Sequence, residues 1–485
     1  MSWPLRLFGG YAVATIACVL LALGSGAYWI ALLPVLLWVV AQAVMDFRPL
    51  FWLLLVVIPL GTEVALPGGV STDLPTEPLA IGLTALLLLH AARYWPCYDH
   101  RAFMHPVALL LYLHVTWIVI TSLTAEVKLV SLKFSLAKLW YVGAFFLLPL
   151  LLLRTPRWVS VFCHCIFWPL LFVALQSLVR HAGYGFSFAD QFRTLHPFMR
   201  NHVLYAGCLA AFAPWLGYMI WDRRRRGLPY RWWLYAIGAL WLVAIYFSYT
   251  RAAYISLVLA GIAYYVIRMR LLAPALLLAL LVGVGIAAYF VADNNYLQYA
   301  PNYDTTVSHS EFDDLLTATY KMEDISTMER FYRWVAGGNM VPYRPVVGYG
   351  PGNFTELYQG YTNNNFETYV SDNPERSGIH NYYLMTLVEQ GYVGLLLLLT
   401  FLCATLLYGE RLYHAQTDRR ARAAIMAALL SVIVVDAFCI INDVLETDKM
   451  GSLFFIATAL IITMGNYRSG EIEQIEETDE RSYAS

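Results

Sequence analysis

Residues 271–292 read LLAPALLLALLVGVGIAAYFVA, a run without a single charged side chain. At about 1.5 Å of helical rise per residue, such a run crosses the roughly 30 Å hydrocarbon core of a bilayer. The pattern recurs along most of the chain. Fourteen candidate spans can be marked, at roughly 7–24, 28–45, 49–66, 79–93, 105–124, 136–153, 158–178, 203–221, 232–248, 251–268, 271–292, 391–408, 421–443 and 450–466. The fold class expected is an all-α polytopic membrane protein with about 12–14 transmembrane helices, because merging a close pair changes the count.

Composition points the same way. Of 485 residues, 59% are hydrophobic and 13% charged, with a mean hydropathy of +0.56. A soluble chain carries roughly a quarter charged residues. A net charge of −1 and the lack of a basic reading element exclude nucleic acid as a partner. The chain starts on a hydrophobic run with no small-residue cleavage site, which predicts a first transmembrane helix rather than a removed signal. The seven cysteines fall mostly in apolar runs and none lies in the long polar stretch, so no disulfide framework is expected. Cys163-His164-Cys165 invites a metal reading. Alternate residues on a helix point to different faces, however, and plain packing is the expectation there.

The connections divide by charge. With the N-terminus cytoplasmic, Arg6, Arg48, Arg93, Arg101, Arg154, Arg157, Arg223 to Arg226, Arg231, Arg268, Arg270, Arg411, Arg419, Arg420, Arg422, Arg468 and Arg481 lie inside, 19 of the 32 basic residues. The positive-inside rule then puts both termini in the cytoplasm and makes external arginines notable. Residues 1–292 form a transmembrane region of about eleven spans, 293–380 a large, partly helical periplasmic loop, 381–466 the C-terminal spans and 467–485 an acidic tail. The stretch from 293 to 379 carries twelve acidic and five basic residues, with helix-like pieces at 311–322 and 325–339. A loop so long in a compact protein is usually functional or disordered, and its aromatic content argues against disorder. Residues 127–139 (VKLVSLKFSLAKL) interleave lysines with apolar side chains, which suits either an interfacial amphipathic helix or a frayed helix entrance.

Four elements on the outer side could carry chemistry. They are Ser248-Tyr249-Thr250-Arg251-Ala252-Ala253-Tyr254, Arg330-Phe331-Tyr332-Arg333-Trp334, the glycine-rich 345–354 (PVVGYGPGNF), and His380-Asn381 followed by Glu389-Gln390-Gly391-Tyr392-Val393-Gly394. An arginine at a helix mouth is costly near lipid unless an anion accompanies it, and its planar fork suits a phosphate. The alternative is an arginine snorkelling to headgroups. Glycines permit a tight backbone and close approach of a ligand, or simply an irregular turn. A histidine where a loop enters a helix is a candidate general base, or only a polar helix start.

In order, spacing and sidedness these elements resemble the O-antigen ligase and polymerase superfamily over roughly residues 200–405. Arg251 matches the family's first arginine, although Thr250 and Ala252 replace the usual serine and glycine. Arg330 and Trp334 match its Arg-x-x-x-Trp, His380 its histidine, and Glu389, Gly391 and Gly394 its Glu-x-Gly-x-x-Gly. The resemblance implies an inverting, metal-independent glycosyltransferase without cofactor, whose donor is a glycan on undecaprenyl diphosphate. The acceptor is a hydroxyl of lipid A core, of another glycan or of a protein, reached at the outer face of the bacterial inner membrane. It assigns Arg251 and Arg330 to the diphosphate and His380 to the acceptor. Arg200, at the outer mouth of a span beside Asn201 and His202, is a candidate third phosphate contact or a headgroup anchor, Arg333 is a substitute for Arg330, and Tyr254, Trp334 and Asn381 are further candidate substrate contacts. One long loop leans towards an O-antigen ligase over a polymerase.

Asp436 lies inside the thirteenth span and needs a partner there. Two other classes stay open. A metal-dependent transferase could use Glu311 and Asp313. A lipid-linked glycan transporter would spread charges through its span centres, where Asp436 is nearly alone.

Overall fold

A computed structural model describes residues 3–27, 30–31, 33–66, 70–94, 100–227, 232–301, 324–368, 371–373 and 376–468. In chain order the helices are α1 (Trp3–Ser25), α2 (Leu33–Met45), α3 (Arg48–Val57), α4 (Thr76–Tyr94), α5 (Pro106–Leu123), α6 (Lys128–Leu152), α7 (Pro156–Gly183), α8 (His202–Arg225), α9 (Trp232–Tyr246), α10 (Arg251–Arg268) and α11 (Leu272–Val291). They continue with α12 (Ile325–Met340), α13 (Tyr382–Ala415), α14 (Arg419–Cys439) and α15 (Asp448–Asn466). Each of the fourteen apolar stretches falls on a helix, whereas α12 and the one-turn helices His100–Phe103 and Phe354–Leu357 lie outside them. Among the described residues nine helices are long and apolar enough to cross a membrane, with shorter apolar helices at Gly9–Ser25, Leu33–Ala43, Arg48–Leu60 and Trp232–Tyr246.

Helix starts follow local chemistry. Pro106 and Pro156 open α5 and α7, where a missing N–H costs nothing. Side chains of Asn201, Asp324, Asn381, Asp418 and Thr447 cap α8, α12, α13, α14 and α15 by accepting from free first-turn amides.

The core is built where small residues let helices approach. Lipid tails are as apolar as leucine, so burial alone does not drive helices together, and close packing must. On α8, Ala206, Gly207, Ala210 and Ala211 are buried or backbone-close, and a Cβ at Gly207 would collide with Met450 of α15. Ser431 of α14 donates to the Ala211 carbonyl at 2.8 Å. At the other extreme, α11 buries only Leu272 and turns Leu277, Leu278, Leu280 and Leu281 outward, as a lipid-facing helix must.

Two features depart from the sequence expectations. The third span stops early, because Pro59 and Gly61 end the helix. Residues Thr62–Leu66 and Val70–Leu74 instead pair as an antiparallel hairpin, with Thr62 opposite Leu74. Residues 128–152 form one continuous helix with a π turn at Gly143–Leu147, so the entrance at 128 is not frayed. Its polarity is inverted: Leu129, Leu132, Leu136 and Leu139 are exposed while Ser131, Ser135 and Lys138 are buried. Ser135 shares a 2.6 Å hydrogen bond with Ser122, and Lys138 meets Glu446 at 2.5 Å.

Candidate active site

The site begins at the start of α12. Asp324 caps this helix, its Oδ2 accepting from the Thr327 amide at 3.1 Å and the Thr327 hydroxyl at 2.6 Å. The same oxygen lies 3.4 Å from Nη2 of Arg251, the first residue of α10. Arg330, one turn and a half along α12, lies within electrostatic reach of Arg251 and Asp324. Among the described residues, Arg251 Nη1 and Arg330 Nε are buried without a hydrogen-bond partner. Burial first, and then the positive charge of Arg251, pull the Arg330 guanidinium down to about 10, with Asp324 opposing. Asp324 thus serves two cations, and the helix dipole of α10 adds further positive potential beside Arg251.

His380 sits at the end of the long polar segment in a left-handed backbone conformation, φ 55°. For a branched-ring side chain that costs on the order of 1–3 kcal/mol, and the neighbours enforce it. Trp334 Nε1 donates to the Ile379 carbonyl at 3.0 Å, and Asn381 Oδ1 accepts from the Leu384 amide at 2.9 Å to start α13. His380 Nδ1 lies 3.6 Å from Asp443 Oδ1. Asp443 follows α14, and Gly378 leaves room for its carboxylate, since a Cβ there would collide with Oδ2. Although burial pushes the Asp443 carboxyl up, the adjacent imidazole outweighs it and holds the group below the usual carboxylate range. Asp443 also bears on Arg330, and Arg333 on Asp443, so the arginines and the histidine belong to one electrostatic neighbourhood. Three residues on, Glu446 accepts from the Tyr382 hydroxyl at 2.6 Å and meets Lys138, which ties the Asp443 turn to α13 and α6.

The glycine-rich stretch serves the fold. The amides of Tyr349 and Gly350 donate to the carbonyls of Val388 and Glu389 at 3.1 and 2.9 Å, and the Tyr392 amide donates to the Pro345 carbonyl at 2.7 Å. These bonds fill a break in α13 at Gly391, φ 70°. A Cβ at Gly348 would strike Glu389 backbone, and one at Gly391 the Val346 carbonyl. From α5, Trp117 Nε1 donates to the Gln390 carbonyl at 3.0 Å and His114 Nε2 bonds Gln390 Oε1 at 3.1 Å. Glu389 Oε1 accepts from the Phe354 amide at 3.1 Å. The close approach that the glycines permit is thus backbone on backbone within the chain.

The other candidate residues divide. Arg333 is buried against Glu329 at 3.3 Å, and Glu329 is itself held by Thr368 and Ser371. Trp334 and Asn381 are committed to positioning the backbone around His380. Tyr254 donates to the Tyr246 carbonyl, joining α10 to α9. Arg200 is exposed and 3.9 Å from Glu63 of the hairpin. Asp436 forms no ion pair among the described residues, although its carbonyl accepts from the Tyr383 hydroxyl at 3.2 Å. Cys163 is buried, His164 is exposed and bonds the Ser160 carbonyl at 2.6 Å, and no metal-binding group of three ligands occurs among the described residues. Glu311, Asp313 and the helix-like piece at 311–322 lie outside the described residues, as does the acidic tail.

Sequence reasoning missed Asp324, Asp443 and the Lys138–Glu446–Tyr382 link. Asp324 had a local signal, an acidic residue three positions before Thr327 at a helix start. Asp443 had none, since its partner lies 63 positions upstream.

Residues 236–399 match the family model described as O-antigen ligase. The matched stretch contains Arg251, Arg330 and His380 and ends before Asp443. No curated protein matches the chain.

Proposed function

We propose that this member of the O-antigen ligase and polymerase superfamily moves a glycan from undecaprenyl diphosphate to an acceptor hydroxyl of lipid A core. The transfer takes place at the outer face of the bacterial inner membrane. The observation that carries the proposal is a pair of neighbouring guanidiniums around Asp324, each with a buried N–H group that has no partner among the described residues. A diphosphate supplies the missing acceptors in the bidentate form that arginine suits.

In this scheme the acceptor O–H adds to the anomeric carbon and the carbon–oxygen bond to the diphosphate breaks. Undecaprenyl diphosphate departs with the electron pair. Arg251 and Arg330 stabilise the charge that grows on it, in a site poor in water. His380 takes the hydroxyl proton on Nε2, and Asp443, 3.6 Å from Nδ1, stabilises the imidazolium that forms. One displacement inverts the anomeric centre, and no metal or nucleotide enters. The excess of arginine in the alternate connections supports cytoplasmic termini and a periplasmic segment 293–380 that carries the catalytic residues. The single long segment favours a ligase over polymerisation or protein glycosylation.

The test is reconstitution of the purified chain in vesicles with labelled lipid-diphosphate glycan and separate acceptors. Label should pass to lipid A core. Transfer only to a growing glycan or a peptide would replace the acceptor, and movement of intact lipid without transfer would overturn the enzyme. A topology reporter at position 320 should read external and one at 225 or 415 cytoplasmic; an internal reading at 320 would overturn the mechanism.

A further inference from the structure

A groove of about 740 Å³ lies at the opposite end of the bundle, lined by Arg157, His164 and Trp168 of α7 together with Arg226 and Arg420. It is remote from the site. The carbonyl of His202, which opens α8, accepts from Thr250 beside Arg251, whereas Arg226 lies just past the other end of this 24-residue helix. At 1.5 Å per residue the two ends are roughly 35 Å apart.

Charge and polarity along the groove are ordered. Asp222 is buried and takes Arg420 Nε at 2.7 Å and Arg226, while Arg420 Nη2 also reaches Ser160 at 3.2 Å. Asp418, which also bears on Arg420, spends its Oδ1 on the amides of Arg420 and Ala421 at the start of α14. Three guanidiniums facing these two carboxylates leave an excess of positive charge at the mouth. Arg157, Val161, His164 and Trp168 lie on one stripe of α7, at spacings of four, three and four residues. Arg157 stands at the helix start, and Trp168 lies eleven residues deeper with 51% of its surface exposed. Eleven residues of helix span about 16 Å, half the hydrocarbon thickness. The groove is cationic at headgroup level and apolar below it.

We infer that this groove binds an anionic phospholipid of the leaflet opposite the active site, its phosphate between Arg157 and Arg226 and an acyl chain along Trp168. Charge complementarity selects the ligand: basic pockets between transmembrane helices hold acidic headgroups, and each basic residue near the surface contributes about a fivefold gain in affinity. The apolar lower wall selects a lipid over a free anion. The inference does not depend on the glycan-transfer reaction.

Native mass spectrometry of the full chain in nanodiscs containing equal phosphatidylglycerol and phosphatidylcholine tests it. Phosphatidylglycerol should be retained preferentially by the wild-type chain. The double variant Arg157→Gln/Arg226→Gln should lose that preference by roughly 25-fold, with phosphatidylcholine retention unchanged. Trp168→Ala, at an exposed position, should weaken retention of both lipids. Equal retention of the two lipids by the wild type overturns the inference without recourse to any variant. Thermal stabilisation of the detergent-solubilised chain by inorganic phosphate equal to that by phosphatidylglycerol overturns the lipid assignment in favour of a free anion.

Discussion

Arg330 and Arg333 stand one turn apart on α12, yet their surroundings differ. Arg333 has a carboxylate of its own: Glu329 pairs with it and is held in turn by Thr368 and Ser371, although Arg333 Nε, like Arg330 Nε, has no hydrogen-bond partner among the described residues. Arg330 has no ion pair of its own among the described residues: Arg251 adds a second cation beside it, and Asp324 and Asp443 bear on it from a distance. A buried ion pair that is complete rigidifies the fold, and a buried cation pair that is incomplete awaits an anion. The same residue type on one helix thus sits in two electrostatic settings, divided by whether a carboxylate pairs with it directly.

The largest effects should come from breaking the incomplete side. Replacing Arg251 or Arg330 by alanine is expected to abolish transfer while the protein still inserts and melts at or above the wild-type temperature, because a repulsive buried charge is removed. Lysine should restore transfer only in part, since a point charge replaces a fork. Donor binding and single-turnover transfer, with expression checked, decide this; normal binding and transfer in Arg251→Ala would make that residue a headgroup anchor.

His380→Ala should spare donor binding and slow transfer by roughly 10²–10⁴-fold. A wild-type single-turnover rate in this variant would remove the base assignment.

On the complete side the effect moves from chemistry to folding. Arg333→Ala leaves Glu329 buried and unpaired, which should cost about 3–5 kcal/mol of stability. Donor binding per folded molecule should persist, and thermal melting alongside binding separates the two. Loss of binding at unchanged stability would place Arg333 with the diphosphate.

A subtler contrast is in pH. Arg330 has its folded-state pKa drawn down to about 10, so its charge costs stability below that value and the cost is relieved as pH rises through it. A bound diphosphate offsets the cost while the group is charged. Donor binding should therefore hold through neutral pH and weaken as pH approaches about 10. In Arg330→Lys the loss should begin at lower pH, because lysine starts from a lower unperturbed value of about 10.4. Titrating donor affinity on both proteins checks the order, and identical profiles would sever Arg330 from the donor. The smallest expected effect is none: EDTA should leave transfer by the purified protein unchanged, and manganese or magnesium rescue after its loss would promote Glu311 and Asp313.

Much of this is legible in the sequence. Uncharged runs of bilayer length dictate helices wherever they occur, since only internally bonded backbone survives in hydrocarbon. Helix α12 was expected at 325–339 and is found at Ile325–Met340, because its capping and apolar spacing are local. The motif residues were also locatable, though several turned out to have other tasks: Trp334 and Asn381 hold the backbone, and the glycines dock one segment on another.

What the sequence by itself determined is whatever depends on neighbours within a few residues: the helices, their caps, and the positions of Arg251, Arg330 and His380. Only the tertiary structure decided the partners. Asp324 reaches Arg251 across 73 positions and Asp443 reaches His380 across 63. Whether Lys138 faces lipid or Glu446 was equally undetermined, because the polar stripe of α6 could have pointed either way. Coulomb and hydrogen-bond energies act over a few ångströms of space. Which charges fall within that range is set by how helices pack, and packing is fixed by small-residue contacts spread along the whole chain.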